Sequence, residues 1–365
     1  MQSLLELLQQ SSLSDKMVTA GFDGFVDTIV KVIRDKPAGE QANYFGRLNE
    51  FGQYITGKSS ASFSLELEER SMKLGGNMPI LSHALGRLGI SVNCIGALGH
   101  PHPHAAFQDI SPNCNRYSFA DPGISTALEF NDGKIMMAQM AKLNKIGWGD
   151  IRQIIGLETI IALFEASDMV ALVNWSELDG SSDVWKGLLN EVFPTYSRSA
   201  SNRQMAFVDL SDCSGRPRAA IREAIDLIGK IGQFCDLTLG LNKNESNMLF
   251  EAMHDEKPSG DLVQIGRQIF DRMQPATLLL HSSRESIAID RNEIISLPTF
   301  YTDKPLISTG AGDNFNAGYC YGRLGSLGLR DALLCANAVS GYYIRHGASP
   351  DPEQLLQFLL EINKN

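Results

Sequence analysis

Cysteine is scarce and scattered: six residues in a chain of 365, with no CxxC pair among them. A chain of this length can bury a core without a disulfide framework. The thiols therefore read as reduced, with neither a zinc site nor a secreted disulfide scaffold indicated. Long apolar runs are missing too. None approaches the roughly 18–20 residues that cross a bilayer as a helix. The opening MQSLLELLQQSS has no basic start and carries Glu6 among its leucines. It reads as an amphipathic helix and not as a signal peptide. The expectation is a cytoplasmic chain with no membrane partner. Basic charge is in deficit, 32 Lys+Arg against 42 Asp+Glu, for a net charge of −10. Nucleic acid needs cations clustered along a phosphate track, so it is not an expected partner. The sequence also lacks GxGxxG, which excludes a dinucleotide fingerprint. No repeat with a period of 20–50 residues is visible.

What is present is a globular composition, 43% hydrophobic and 20% charged, enough to bury a sizeable core. Short β-rich runs alternate with helical patterns. Strands are expected near 17–22, 91–97, 168–174, 205–210, 236–241, 277–281 and 286–290. Helices are expected near 153–166, 217–231, 246–254 and 262–273. Runs such as MVALV and TLLLH are apolar throughout, which suits strands covered on both faces. The alternation predicts an α/β fold, a mostly parallel central sheet with helices on both faces, in one domain spanning 1–365. Ligands of such sheets bind beyond the C-terminal strand ends. Two stretches break the rhythm, about 35–73 and 117–145. The second contains TALEFNDGKIMMAQM, whose Asn-Asp-Gly reads as a hairpin turn. Both are read as excursions forming a small β lid over the ligand face. The first is equally compatible with surface decoration, and is also a candidate homodimer surface.

The most informative stretch is Thr309-Gly310-Ala311-Gly312-Asp313-Asn314-Phe315-Asn316-Ala317-Gly318. A Gly-Ala-Gly turn opening a helix lets backbone N–H groups converge, and the helix dipole adds partial positive charge. Such a turn suits an anion whose charge shifts during reaction. A carboxylate beside an anion hole is unfavourable unless it acts on the attacking group. Its natural task is to accept a proton from a hydroxyl that attacks phosphorus. The competing reading makes Asp313 a helix cap and the glycines a plain turn.

The chain resembles the ribokinase-like (PfkB-type) carbohydrate and nucleoside kinases. The resemblance rests on motifs in the family's order. They are Gly21-Phe22-Asp23-Gly24-Phe25-Val26-Asp27, then Gly75-Gly76 with the helix ending Gly86-Arg87-Leu88-Gly89, then Asn242-Lys243-Asn244-Glu245. The Thr309–Gly318 segment, the helix with Asn337, and Gly347-Ala348 follow. The resemblance implies a ribokinase-like fold and roles residue by residue. Asp313 corresponds to the catalytic base, and Gly310, Ala311 and Gly312 to the anion hole. Asn242 and Glu245 correspond to residues near the phosphates, Glu245 reaching a metal ion through water. Thr309, Ser283, Asn337 and Gly347 fall on the nucleotide side. Asp27, with Asp23, Gly75, Gly76 and Asn77, falls on the acceptor side. ATP is the implied co-substrate, Mg2+ the implied metal, and a sugar or sugar derivative the implied acceptor. A nucleoside kinase, an ADP-dependent relative and an idle binding protein are the alternatives.

The chain departs from the family pattern in places. Asn77 follows the glycine pair directly, and Ile80 stands where the family usually has asparagine. His281-Ser282-Ser283-Arg284-Glu285-Ser286 lacks both glycines of the family's T-L-G-x-x-G run. Ile307 replaces an acid that contributes to monovalent-cation sites, which leaves potassium activation open. Asn77 reads equally as a helix cap or a sugar ligand. His100, His102 and His104 alternate with prolines and read as a surface loop in preference to a metal site. Asn174-Trp175-Ser176-Glu177 reads as a strand-end turn with a packed Trp.

Overall fold

A computed structural model describes residues 1–10, 12–199 and 203–362. In chain order the strands are β1 (Met17–Gly21), β2 (Phe25–Asp35), β3 (Asn43–Tyr44), β4 (Leu67–Gly75), β5 (Ser91–Gly96), β6 (Cys114–Ser118) and β7 (Gly123–Phe130). They continue with β8 (Gly133–Gln139), β9 (Met169–Leu172), β10 (Gln204–Asp209), β11 (Cys235–Asn242), β12 (Thr277–His281), β13 (Glu285–Ile289) and β14 (Ile294–Pro298). The helices are α1 (Gln2–Gln10), α2 (Leu48–Gly57), α3 (Asn77–Arg87), α4 (Trp148–Ile155), α5 (Leu157–Ala166) and α6 (Ser181–Gly187). They continue with α7 (Arg218–Phe234), α8 (Lys243–His254), α9 (Leu262–Met273), α10 (Ala311–Leu324), α11 (Leu329–His346) and α12 (Pro352–Ile362).

A nine-stranded sheet runs β14-β13-β12-β11-β10-β9-β1-β5-β6. Every neighbour from β12 to β6 is parallel, and β13 is antiparallel to both β12 and β14. The strand period of two sends alternate residues to two cores. Val18, Ala20, Ala171 and Leu279 face a core shared with α1, α3, α10, α11 and α12. Val170, Leu172, Leu278 and Leu280 face a second one, built with α4 to α9. The expected mostly parallel sheet with helices on both faces is therefore present. The helix expected over 153–166 is two helices, because Gly156 takes φ 91° between α4 and α5.

The lid is a separate five-stranded sheet. Its spine is β2, an 11-residue strand that sequence reading missed past Asp27. β2 pairs antiparallel with β4 and β3 and parallel with β7, and β7 and β8 form the expected hairpin about Asn131-Asp132. Helix α2 closes one side, with Phe51 packed against Phe45 and Phe130. The lid begins earlier than position 35, and Tyr117 and Ser118 belong to the main sheet. No helix among the described residues is long and apolar enough to cross a membrane.

Candidate active site

Helix α10 opens at Gly310, whose φ of 87° suits a residue without a Cβ. A Cβ there would lie 2.9 Å from the Tyr343 hydroxyl and 3.3 Å from Ile80. The Ala311 N–H bonds Ser308 O at 3.1 Å. The N–H groups of Gly312 and Asp313 have no backbone acceptor among the described residues. Asp313 is three residues past the cap and does not cap the helix. Its Oδ1 instead accepts from Asn77 Nδ2 at 2.9 Å. Asn77 Oδ1 in turn accepts from Ser211 Oγ at 3.2 Å.

Asn77 is not a cap either. Gly76 holds that position with φ 90°, and the capping acceptor comes from another element. Asp23 accepts from the N–H groups of Asn77 and Met78, both at 2.8 Å, and from Asn174 Nδ2 at 2.7 Å. Asp23 was expected on the acceptor side; at 0% exposure it is turned into the protein to cap α3. The Gly75-Gly76 pair makes room for two carboxylates. A Cβ on Gly75 would sit 2.5 Å from Asp27 Cγ, and one on Gly76 2.7 Å from Asp23 Oδ2. Asp27 itself lies on β2, opposite Lys73 of β4 and beside Ser125 of β7.

Four buried acids converge below the turn: Asp23, Asp209, Glu245 and Asp313. Burial is the main cause that raises each carboxyl above its ordinary range, Asp23 to about 7. Mutual repulsion adds to this for Asp313, which faces Asp209, Asp23 and Glu245, while the Asn77 bond pulls it down. Burial also raises Asp27, against the pull of Lys73. Asp209 was missed in the sequence. It ends β10, and its Oδ2 accepts from Asn316 Nδ2 at 2.6 Å, one turn along α10 from Asp313. The only available signal was an acid at the end of an apolar strand. Asn242 and Glu245 form a capping box on α8: Asn242 Oδ1 accepts from Asn244 and Glu245 N–H, and Glu245 Oε2 from Asn242 N–H at 2.7 Å.

A cleft of about 410 Å³ flanks the other side of the α10 turn. It brings together Ser283, Ala311, Gly312 and Asn337, with Phe300, Tyr301 and Ser340. Asn337, 2% exposed, donates to Ser286 Oγ at 2.8 Å and leaves its Oδ1 unpartnered. Ser340 holds Ala311 O at 2.9 Å, and Tyr343 holds Thr309 O at 2.9 Å. Thr309 and Gly347 do not line the cleft; Gly347 ends α11 in the left-handed region with φ 72°. A larger cavity of about 560 Å³ lies at the opposite end of the sheet, where β11 and β12 begin at Cys235 and Thr277. It is remote from this chemistry. Among the described residues no His/Cys/Asp/Glu group is placed to hold a metal ion directly. His104 is the N-cap of a short 3₁₀ turn, and Trp175 is buried at 2% exposure, as the plainer readings of those segments expected.

A profile of the prokaryotic ketohexokinase family matches residues 6–362. The chain belongs to that family. It is therefore a carbohydrate kinase, a phosphotransferase acting on a sugar hydroxyl. A ketohexokinase from Haloferax volcanii is 25% identical over 343 residues, covering 93% of this chain and 90% of that protein. The fold matches Arabidopsis thaliana ribokinase complexed with ribose and ATP, with TM-score 0.64 at 14% identity over 94% of this chain and 98% of that one. It also matches the Methanocaldococcus jannaschii nucleoside kinase, TM-score 0.59 at 12% identity over 95% and 98%. The expected ribokinase-like fold and kinase class are both present.

Proposed function

We propose that this kinase transfers the γ-phosphoryl group of ATP to a hydroxyl of a ketohexose. The observation carrying this reading is Asp313, a buried carboxylate held by Asn77 at 2.9 Å beside the free N–H groups of the α10 turn. The family match to ketohexokinases favours a sugar over a nucleoside acceptor. In this reading the triphosphate lies in the cleft of Ser283, Gly312 and Asn337, its reacting end at the turn. The acceptor lies between Asp313 and the lid, where Tyr343 feels both the Asp313 and Asp27 carboxylates.

The acceptor oxygen attacks the γ-phosphorus as Asp313 takes the hydroxyl proton. The bond from phosphorus to the bridging oxygen breaks, and ADP leaves with that electron pair. Gly312 and Asp313 N–H groups stabilise the charge on the transferring group. Burial raises Asp313, which makes it a better proton acceptor once ionised. Asp27, on the lid, receives acceptor hydroxyls.

The residues fit a magnesium ion. Asp209, Glu245 and Asp313 form a buried acidic group with no Lys or Arg hydrogen-bonded to it among the described residues. Because no direct ligand set is formed, Glu245 and Asp209 would hold the ion through water, with the phosphates as further ligands. When bound, magnesium neutralises phosphate charge. The deciding experiment is a panel of ketohexoses, aldoses, ribose and nucleosides with ATP and with ADP. Turnover of ketohexoses with ATP is expected; faster turnover of nucleosides, or use of ADP alone, would overturn the reading.

A further inference from the structure

His281 ends β12 and lines the same cleft as Ser283, Gly312 and Asn337. Its ring packs against Phe315 with centroids 4.8 Å apart. A Cβ built on Gly312 would lie 3.5 Å from its Cε1 and 3.9 Å from its Nε2. The Nε2 edge of the imidazole therefore borders the turn where the Gly312 and Asp313 N–H groups lack acceptors. Among the described residues neither ring nitrogen has a hydrogen-bond or ion-pair partner, and burial is the one influence on its titration. It pushes the pKa down to about 4, so the free side chain is neutral. A neutral imidazole carries one N–H and one lone pair, with the tautomer set by whatever binds. The groups beside its Nε2 are donors. A ligand that satisfies them is an oxygen anion, and the matching contribution from the ring is its Nε2–H.

We propose that His281 is a binding residue for the phosphate chain of the donor nucleotide, its Nε2–H joining the Gly312 and Asp313 N–H groups on one phosphate oxygen. This rests on the reading of the cleft as the nucleotide site. A neutral donor suits this position. It adds a directed hydrogen bond without a permanent cation that would pair with the neighbouring acids and distort Asp313. It also supplies a donor on a loop that lacks the two glycines of the T-L-G-x-x-G run.

The test uses ring-15N NMR of the full chain, whose seven histidines keep the spectrum sparse. The probes are a non-hydrolysable ATP analogue and inorganic tripolyphosphate. Both are expected to fix His281 as the Nε2–H tautomer and to shift that nitrogen. In kinetics, His281→Leu is expected to raise the KM for ATP roughly tenfold or more, with the acceptor KM unchanged. His281→Gln, which keeps an N–H near the Nε2 position, is expected to recover most of the loss. Tyr301, which also lines the cleft, reports nucleotide occupancy independently through its ring 13C–1H signals. If the Tyr301 ring responds to the analogue while His281 does not, and His281→Leu keeps the wild-type KM, the proposal falls and the cleft assignment stands. If neither residue responds, both fall. Should His281→Leu fail to fold, the wild-type ring shifts alone decide.

Discussion

The body and the lid are built on opposite principles. Strands of the body such as β9 and β12 are buried almost throughout, and both faces of the sheet are covered by helices. Strands of the lid are half-exposed. β4 and β8 leave Leu67, Met72, Met136 and Met137 open to solvent, and the lid core is small, with Val30, Val32, Phe45, Phe51, Leu128 and Phe130 buried and Leu48, Tyr54, Leu65 and Ile135 half-buried against them. The body holds Asp313 by the Asn77 bond in a packed, buried setting, and the lid carries Asp27 on a thin sheet. In the proposed mechanism, a base that must take the proton of a hydroxyl as its oxygen attacks phosphorus needs the first kind of support. A group that admits an acceptor and then closes on it is suited to the second.

Four measurements would sharpen or break this division of labour. The largest effect is expected from Asp313→Asn in the body. It should lower kcat by about 10²–10⁴-fold, the usual cost of losing a general base, with little change in nucleotide affinity. Because Asp313 does not cap α10, the melting temperature should hold; a mutant that keeps full kcat would remove Asp313 from the chemistry. Next is Phe51→Ala in the lid, where large-to-small core changes cost about 3–5 kcal/mol. That loss should open the lid and leave the body folded. Hydrogen exchange would show protection lost in β2, β4 and β7 and retained in β9 to β12, whereas uniform loss would mean that the two regions fold as one.

Third, Asp27→Ala should raise the acceptor KM far more than the ATP KM. Loss of a hydrogen bond to a charged group costs ~1.5–3 kcal/mol, about 10- to 150-fold. Equal changes in both constants would make Asp27 structural. The smallest effect is a pH dependence of the body. Folded Asp23 keeps its proton up to about pH 7, while the unfolded chain releases it near the ordinary value of 3.8. Between these limits the folded state binds more protons, so stability should fall as pH rises. Thermal melts from pH 4 to 7 on wild type and Asp23→Asn check this. A wild-type slope unchanged in the mutant would assign the effect to the other buried acids.

Much of the architecture was legible in local pattern. The apolar runs at β9 and β12 and the helix at 262–273 follow from side-chain periodicity, which is a property of neighbours in sequence. The hairpin of β7 and β8 was legible for the same reason, since a two-residue turn needs Asn-Asp-Gly chemistry. β2 was less so. Its polar Thr28, Lys31 and Arg34 interrupt the apolar residues, and its partner β4 lies about forty residues away.

The sequence by itself determined the α/β alternation, the Gly-Ala-Gly turn and the acid that follows it, because glycine freedom and helix initiation act over a few residues. Only the tertiary structure decided what the polar groups do. Asn77 and Asp313 are 236 positions apart, and Asn316 and Asp209 are 107 apart. Asp23 and Asp27 look alike in the chain, four residues apart on one motif. The fold turns Asp23 inward to cap α3 and places Asp27 on the lid. Hydrogen bonds act only at contact distance, and the crossovers that bring such distant residues into contact are set by packing of the whole sheet.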